Sequence, residues 1–442
     1  MDASCCKSIV DLALSNERRR FYIAYSGGID SHVLLHCCAS IAELKPKLVA
    51  VYIHHGLQVE ADAWALHCNK TAQDLGVDFL TLPVNAHPSR GESPEEAARN
   101  ARYQALQSLI TKDDVLLLAQ HQEDQLETVL LQLFRGTGLS GLSGMAQQSK
   151  FGLGIMLRPL LTTPKQLILE YAHRHQLHWV EDPSNQSNDY DRNYLRNSIV
   201  PLLKQRWPVI DKTVSRSANH CANAQKMIDE IAKDLFTNVF DPTDNTLAIS
   251  RLMNYSPLHQ QLIIRYWFWC MGLKMPTEAS VKQILHEVIE ANGYREIQGY
   301  HIRRYRDKLY CVKPLTENYP DKYVWPSDQS SINVNSYCNV MTMVSSKGIL
   351  AEQWTTSNIE LRARKGGEKI SLPGRQGHHS LKKLFQEAGI PPWERDRIPL
   401  VYLDNTLAAV GDLWVSSLFY TEKTEACVRL VLQNSMMPPK RS

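Results

Sequence analysis

The hexapeptide Ser26-Gly27-Gly28-Ile29-Asp30-Ser31 constrains this chain more than any other stretch. It follows the apolar run over 21–25 and precedes an apolar-periodic segment over 32–39. That order reads as strand, glycine turn, helix. A glycine pair lets the backbone take left-handed or crowded conformations, so that amide N–H groups and the next helix N-terminus converge on a phosphate. Ser26 and Ser31 can donate to phosphate oxygens. Asp30 would be repelled by phosphate unless a divalent cation lay between them, so Mg²⁺ is implied. Serine and glycine are also common in ordinary turns. Position argues for a site here, because ligands of α/β sheets gather at the carboxyl ends of strands. No G-x-x-x-x-G-K-[ST] occurs in the chain, so this is not a Walker loop.

The flanking pattern repeats. Residues 1–20 read as a helix with Ile9, Val10, Leu12 and Leu14 on its apolar side. After the turn come a helix over 31–44, a strand over 47–53, a helix over about 58–75, a strand over 77–82, a helix over 94–109 and a strand over 115–119. Uninterrupted apolar strands alternating with helices predict an α/β fold with a parallel sheet covered on both faces and right-handed crossovers. Another strand is expected over 154–161, then a helix to about 176 with Pro164 at its first helical position. At 442 residues the chain has room for two or three domains. The first is expected over 1–215. A mainly helical middle domain over 216–313 ends in a hairpin at 300–305 and 309–312. A linker over about 314–330 leads to a small α+β domain over 331–442.

Candidate residues cluster where strands end. His54 and His55 close the second strand, and His55 is placed near the site without a role. Glu95, Arg99 and Arg102 share one helix side, a spacing that suits either a solvated stripe or arginines turned toward phosphates. Asp124 follows the strand over 115–119, where a site carboxylate and a helix-dipole charge are equally at home. The run from Gly136 to Gly141 contains a formal G-x-G-x-x-G. It follows a helix instead of a strand, so a glycine-rich turn near the cleft is expected, not a dinucleotide site. Arg192 and Arg196 fall in a polar loop of the kind that carries substrate contacts. Between 361 and 397, nine Lys or Arg face four acids, among them Arg375, Lys382 and Lys383. With Trp393 nearby, such a surface suits RNA, the alternative being an exposed helix of a small α+β domain.

Composition narrows the classes. No apolar run approaches the roughly 20 residues that span a bilayer, and the N-terminus lacks the basic-then-apolar order of a secretory signal. A cytoplasmic protein without membrane contact is expected. The ten cysteines include no C-x-x-C, which speaks against zinc or iron–sulfur binding. The net charge of +3 is too small to argue for nucleic acid by itself.

Taken together, these motifs resemble one family. The turn at 26–31 is similar to the SGGxDS loop of PP-loop ATP pyrophosphatases. HHG at 54–56, E-x-x-A-R-x-x-R-Y from Glu95, H-x-x-D-Q-x-E-T from His121, RGTGLSGLSGM from Arg135, EDPSN from Glu181, DRNYLRN from Asp191 and GGEKI…LKKLFQEAGIPPWERDRIPL extend the likeness over essentially the whole chain. Their combination resembles the tRNA(Ile)-lysidine synthase family. The resemblance implies an N-type ATP pyrophosphatase domain, of the adenine nucleotide alpha hydrolase-like kind, followed by two smaller domains. It implies ATP-dependent ligation of L-lysine to the wobble cytidine of the isoleucine tRNA with a CAU anticodon, through an adenylated cytidine. It further implies bacterial cytoplasm and leaves a homodimer open. Ser26, Gly27, Gly28, Ile29, Asp30 and Ser31 would bind ATP, with Asp30 also holding Mg²⁺. Asp124 would place lysine or metal, and Arg102 and Arg196 would meet transition-state charge. Arg192, Arg375, Lys382 and Lys383 would contact tRNA. Family members often carry two aspartates where this chain has Glu123-Asp124, which makes Asp124 the firmer carry-over. A tRNA base thiolase of the same loop class is the alternative. It would normally use paired reactive cysteines.

Overall fold

The computed structural model describes residues 9–434 apart from 12–13, 15–18, 55–60, 86–93, 292, 315–321, 336–337 and 423–425. His55 lies outside the described residues. The chain packs as two compact units, Met1–Ile228 and Asp229–Ser442.

The first unit is built on a six-stranded sheet. Its strands are β1 (Phe21–Ala24), β2 (Leu48–His54), β3 (Asp78–Pro83), β4 (Val115–Leu117), β5 (Gln148–Phe151) and β6 (Gly154–Leu157), in the order β3-β2-β1-β4-β6-β5. Neighbours pair in parallel from β3 to β6. Only β5 runs antiparallel, as a hairpin partner of β6. Helices α1 (Ile29–Ala39), α2 (Ala61–Leu75) and α3 (Pro94–Leu109) are crossovers between parallel strands, as β-α alternation requires. Successive strand residues point to opposite faces. In β1, Phe21 and Ile23 join the core beneath α1 and α2, whereas Tyr22 and Ala24 pack with Leu106 and Ile110 at the end of α3. Both faces are therefore covered, which is why these strands are apolar throughout.

One strand was not expected from the sequence, and one helix starts differently from the expectation. Strand β5, Gln-Ser-Lys-Phe, has too little apolar character to read as a strand. It sits at the sheet edge, where polar residues are tolerated. The helix after β6 is α6, Lys165–Arg174, and Pro164 is its extended N-cap (ψ 141°) instead of its first helical residue. In the N-terminal segment Ile9 is buried and Leu14 is 66% exposed.

The edge of the sheet that carries the strand ends leads into α4 (Gln122–Phe134), α5 (Leu139–Leu142) and α7 (Asp191–Tyr194), which continues as a π-helical turn over Leu195–Ile199. Helix α8 (Val200–Arg206) and the 30-residue α9 (Ile210–Val239) follow.

In the second unit, helices α10 (Ile249–Met253), α11 (Pro257–Cys270) and α12 (Glu278–Gln283) accompany a five-stranded sheet. That sheet contains the expected hairpin, Tyr300–Tyr305 against Lys308–Val312. Two further five-stranded sheets and a two-stranded one make up the rest. Trp393 joins the two parts of this unit. Its ring meets those of Tyr305 and Tyr310 at 6.1 and 5.4 Å, and the Arg303 guanidinium lies 5.3 Å from its centroid. Arg397 Nη2 donates to the Lys313 carbonyl at 2.6 Å.

Candidate nucleotide and RNA-base site

The turn after β1 has no room for a side chain at Gly27. Gly27 has φ +81°, and a Cβ there would stand 2.9 Å from Cys68 Sγ of α2. Burial pushes the Cys68 thiol up to about 12, so it remains protonated packing. The Ser31 hydroxyl donates to the Gly28 carbonyl (2.9 Å) and lies 3.2 Å from the Ser26 hydroxyl and the Ser26 amide. The turn is thus pre-shaped by its own hydroxyls. Gly28 caps α1 in an extended conformation with no side-chain cap bond, which leaves first-turn N–H groups for an anion.

A cleft of about 580 Å³ opens over this turn, lined by Ser26, Gly28, Asp30, Ser31, Arg99, Arg102, Asp124 and Arg192, with Tyr52, Trp64, Tyr103 and Asp182 among its walls. Arg99 and Arg102 are therefore cleft residues and not merely a solvated stripe. Asp124 answers both readings of its position. Its Oδ2 accepts from the His121 amide at 3.0 Å as half of a capping box, and the same side chain faces the cleft. Glu123 instead pairs with Lys204 and lies outside the cleft lining.

The structure adds partners with no separate assignment in the sequence. Lys165, the first residue of α6, sits with its ammonium 2.5 Å from Asp30 Oδ1. His121 Nε2 is 3.7 Å from Asp30 and 3.3 Å from Asp124, so one imidazole stands between the two carboxylates. Glu127, only 1% exposed, binds Arg196 through Nε and Nη2 (2.7 and 2.8 Å) and lies 3.3 Å from Arg192 Nε. Burial raises the Glu127 pKa against the opposing pull of Arg196. Arg196 also donates to Asp124 Oδ1 at 2.9 Å, from within the π-helical turn, a distortion frequent at functional sites. It orients Asp124 from behind and is not among the cleft-lining residues. Glu127 lies one helical turn beyond Asp124, which was its available signal.

The donors suit Mg²⁺ in one way only. Among the described residues no group of three or more His, Cys, Asp or Glu could hold a metal. Mg²⁺ commonly takes one or two carboxylates and completes its shell with substrate phosphate and water. Asp30 beside a phosphate-shaped turn matches that demand, whereas both oxygens of Asp124 are engaged, by the His121 amide and by Arg196.

In the second unit the basic segment is less free than its charge suggests. Arg362 pairs with Glu360, Arg364 with Asp396, and Arg375 with Glu387 (3.0 Å), while Arg395 is buried. Helix α14 (Leu381–Glu387), which follows α13 (Ala351–Thr356), buries Leu381, Leu384 and Phe385 and leaves Lys382 and Lys383 exposed. No helix among the described residues is long and apolar enough to cross a membrane.

Three family matches cover the chain in order: the PP-loop domain over residues 1–203, the TilS substrate binding domain over 247–310 and the TilS substrate C-terminal domain over 359–432. The tRNA(Ile)-lysidine synthase of Methylococcus capsulatus is 39% identical over 410 residues, 90% of this chain and 93% of that protein. That of Alkalilimnicola ehrlichii is 40% identical over 419 residues, 92% and 93%, and that of Legionella pneumophila strain Paris 38% over 411, 91% and 93%. A phosphate turn, a pair of facing carboxylates and substrate-domain matches through the second unit lead to one conclusion: the chain belongs to the tRNA(Ile)-lysidine synthase family.

Proposed function

We propose that the cleft adenylates a cytidine of tRNA(Ile) and then joins L-lysine to the activated carbon. The enzyme is a ligase that forms lysidine on tRNA(Ile) and uses ATP. The finer assignments, namely the CAU anticodon, free lysine, Mg²⁺ and the residue roles, constitute our reading. The observation that carries it is the convergence of the 26–31 turn, Asp30, Asp124 and three arginines on one cleft.

A pyrimidine 2-carbonyl carries no leaving group, so an amine cannot simply displace its oxygen. Attack of that oxygen on the α-phosphorus of ATP expels pyrophosphate and leaves AMP on the carbon. The lysine ε-amine then attacks the carbon, and AMP departs with the oxygen. In this reading the hydroxyls and amides of Ser26 to Ser31 hold the phosphates. Asp30 would hold Mg²⁺, which would neutralise charge on the departing pyrophosphate. Arg99 and Arg102 face the same charge from α3. With an ordinary pKa near 10.4, the incoming ammonium costs roughly 4.6 kcal/mol to neutralise at pH 7. Asp124, oriented by Arg196, orients it and receives its proton. The target base must leave its stack to enter. Arg192 at the cleft, and Arg375, Lys382 and Lys383 in the second unit, meet tRNA phosphates.

The test is incorporation of labelled lysine into isoleucine tRNA with and without ATP. Incorporation without ATP, or ATP turnover indifferent to tRNA and lysine, would refute the reading. Sedimentation of the purified protein tests whether it forms a homodimer, and fractionation of cells tests the expected cytoplasmic location.

A further inference from the structure

We propose that α4 and the glycine-rich turn at its far end form a landing surface for the unstacked nucleotides that flank the reacting base. This rests on the reading of the cleft given above and goes beyond it in naming where the neighbouring strand lies.

Helix α4 buries its first half, with Leu126 and Glu127 almost fully covered, and meets α5 and α7 along its length. Its last turn carries Leu133 and Phe134, exposed at 55% and 67%, and Arg135 beside them is exposed as well. A helix end of this kind ordinarily turns its large apolar side chains inward.

The glycines of the turn divide into two sorts. At Gly141 a Cβ would collide with Thr137, and at Gly144 with Gln125, so the fold itself demands those two. Gly138 differs. Its φ of −78° suits any residue, and a Cβ there would meet nothing within 4 Å. Nothing inside the protein requires its bareness. A naked backbone on an open surface suits close approach by an outside group.

Continuity with the cleft identifies that group. Asp124 in the first turn of α4 lines the cleft, as does Arg192, whose Nη2 donates to Thr128 of α4 at 2.8 Å. Tyr190 and Tyr194, on either side of Arg192, are exposed at 38% and 49%. Exposed aromatic side chains thus stand beside cations in two places, Tyr190 and Tyr194 around Arg192 near the cleft and Phe134 next to Arg135 at the far end of α4. Aromatic rings stack unpaired bases, and guanidinium groups follow the backbone between them. Phe134 lies ten residues past Asp124, about 15 Å along the helix axis, a span that a few nucleotides cover. A second protein copy would not need rings paired with guanidinium groups on the helix that enters a nucleotide cleft.

The experiment measures steady-state lysine incorporation by the full chain, with intact tRNA and with an isolated anticodon stem-loop. Phe134→Ala is expected to raise KM for both RNAs about tenfold, in line with loss of one stacked base, with KM for ATP and lysine unchanged. Phe134→Trp should restore the RNA KM, and Gly138→Val should raise it independently. Unchanged RNA KM in Phe134→Ala and Gly138→Val overturns the proposal. So does an RNA-independent loss of self-association in Phe134→Ala, which would assign the surface to a second copy. Inactive wild-type enzyme would count against the parent reading, whereas active wild type with indifferent variants counts against the landing surface alone.

Discussion

At the scale of single residues, the nucleotide turn tolerates little change. Gly27 combines a left-handed backbone with a thiol directly beneath it. Gly27→Ala is therefore expected to weaken ATP binding and lower the melting temperature, both measurable by thermal shift with and without ATP. Asp30→Ala should cut tRNA-dependent pyrophosphate release on the order of 10²–10³-fold, read in a coupled pyrophosphate assay, while the fold persists. His32 on α1 supplies a pH prediction. Burial, helped by His67, lowers its pKa from 6.5 to about 4. The unfolded chain takes up this proton below about 6.5 and the folded chain only below about 4, so acid favours unfolding in between. Melting temperature should fall as pH drops through that window, and His32→Gln should flatten the fall.

At the scale of elements, the turn was legible in sequence because its residues are contiguous, whereas the spacing of Asp124 and of the arginines of α3 left two readings open that only their place on the cleft narrows. The ties between elements were not legible. Lys165 reaches Asp30 across 135 positions, and Arg196 reaches Glu127 across 69, and no periodicity links residues so far apart. Strand β5 escaped because edge strands need no apolar signature, and charge counting over the basic segment does not say which cations are paired, as Arg375 is with Glu387. The Glu127 tie should be costly to break. Glu127→Ala leaves two guanidinium groups without their buried carboxylate and is expected to destabilise by about 3–5 kcal/mol, measured by denaturant unfolding. On α14, the pair Lys382→Ala and Lys383→Ala should leave ATP affinity intact. It should make the salt dependence of tRNA binding shallower by about two units of slope, read from binding titrations at several salt concentrations.

At the scale of the whole molecule, α/β alternation announced the first unit, and a charge-rich segment with a tryptophan announced the end of the second. What sequence could not announce is that Trp393 lies against Tyr305, Tyr310 and Arg303, residues more than eighty positions earlier in the chain. Trp393→Ala is expected to broaden the unfolding of this unit and raise KM for full-length tRNA more than for a stem-loop, measured by calorimetry and steady-state kinetics. Three rings and a guanidinium tie the two parts of this unit together, so that a change on either side of the clasp is expected to disturb the other.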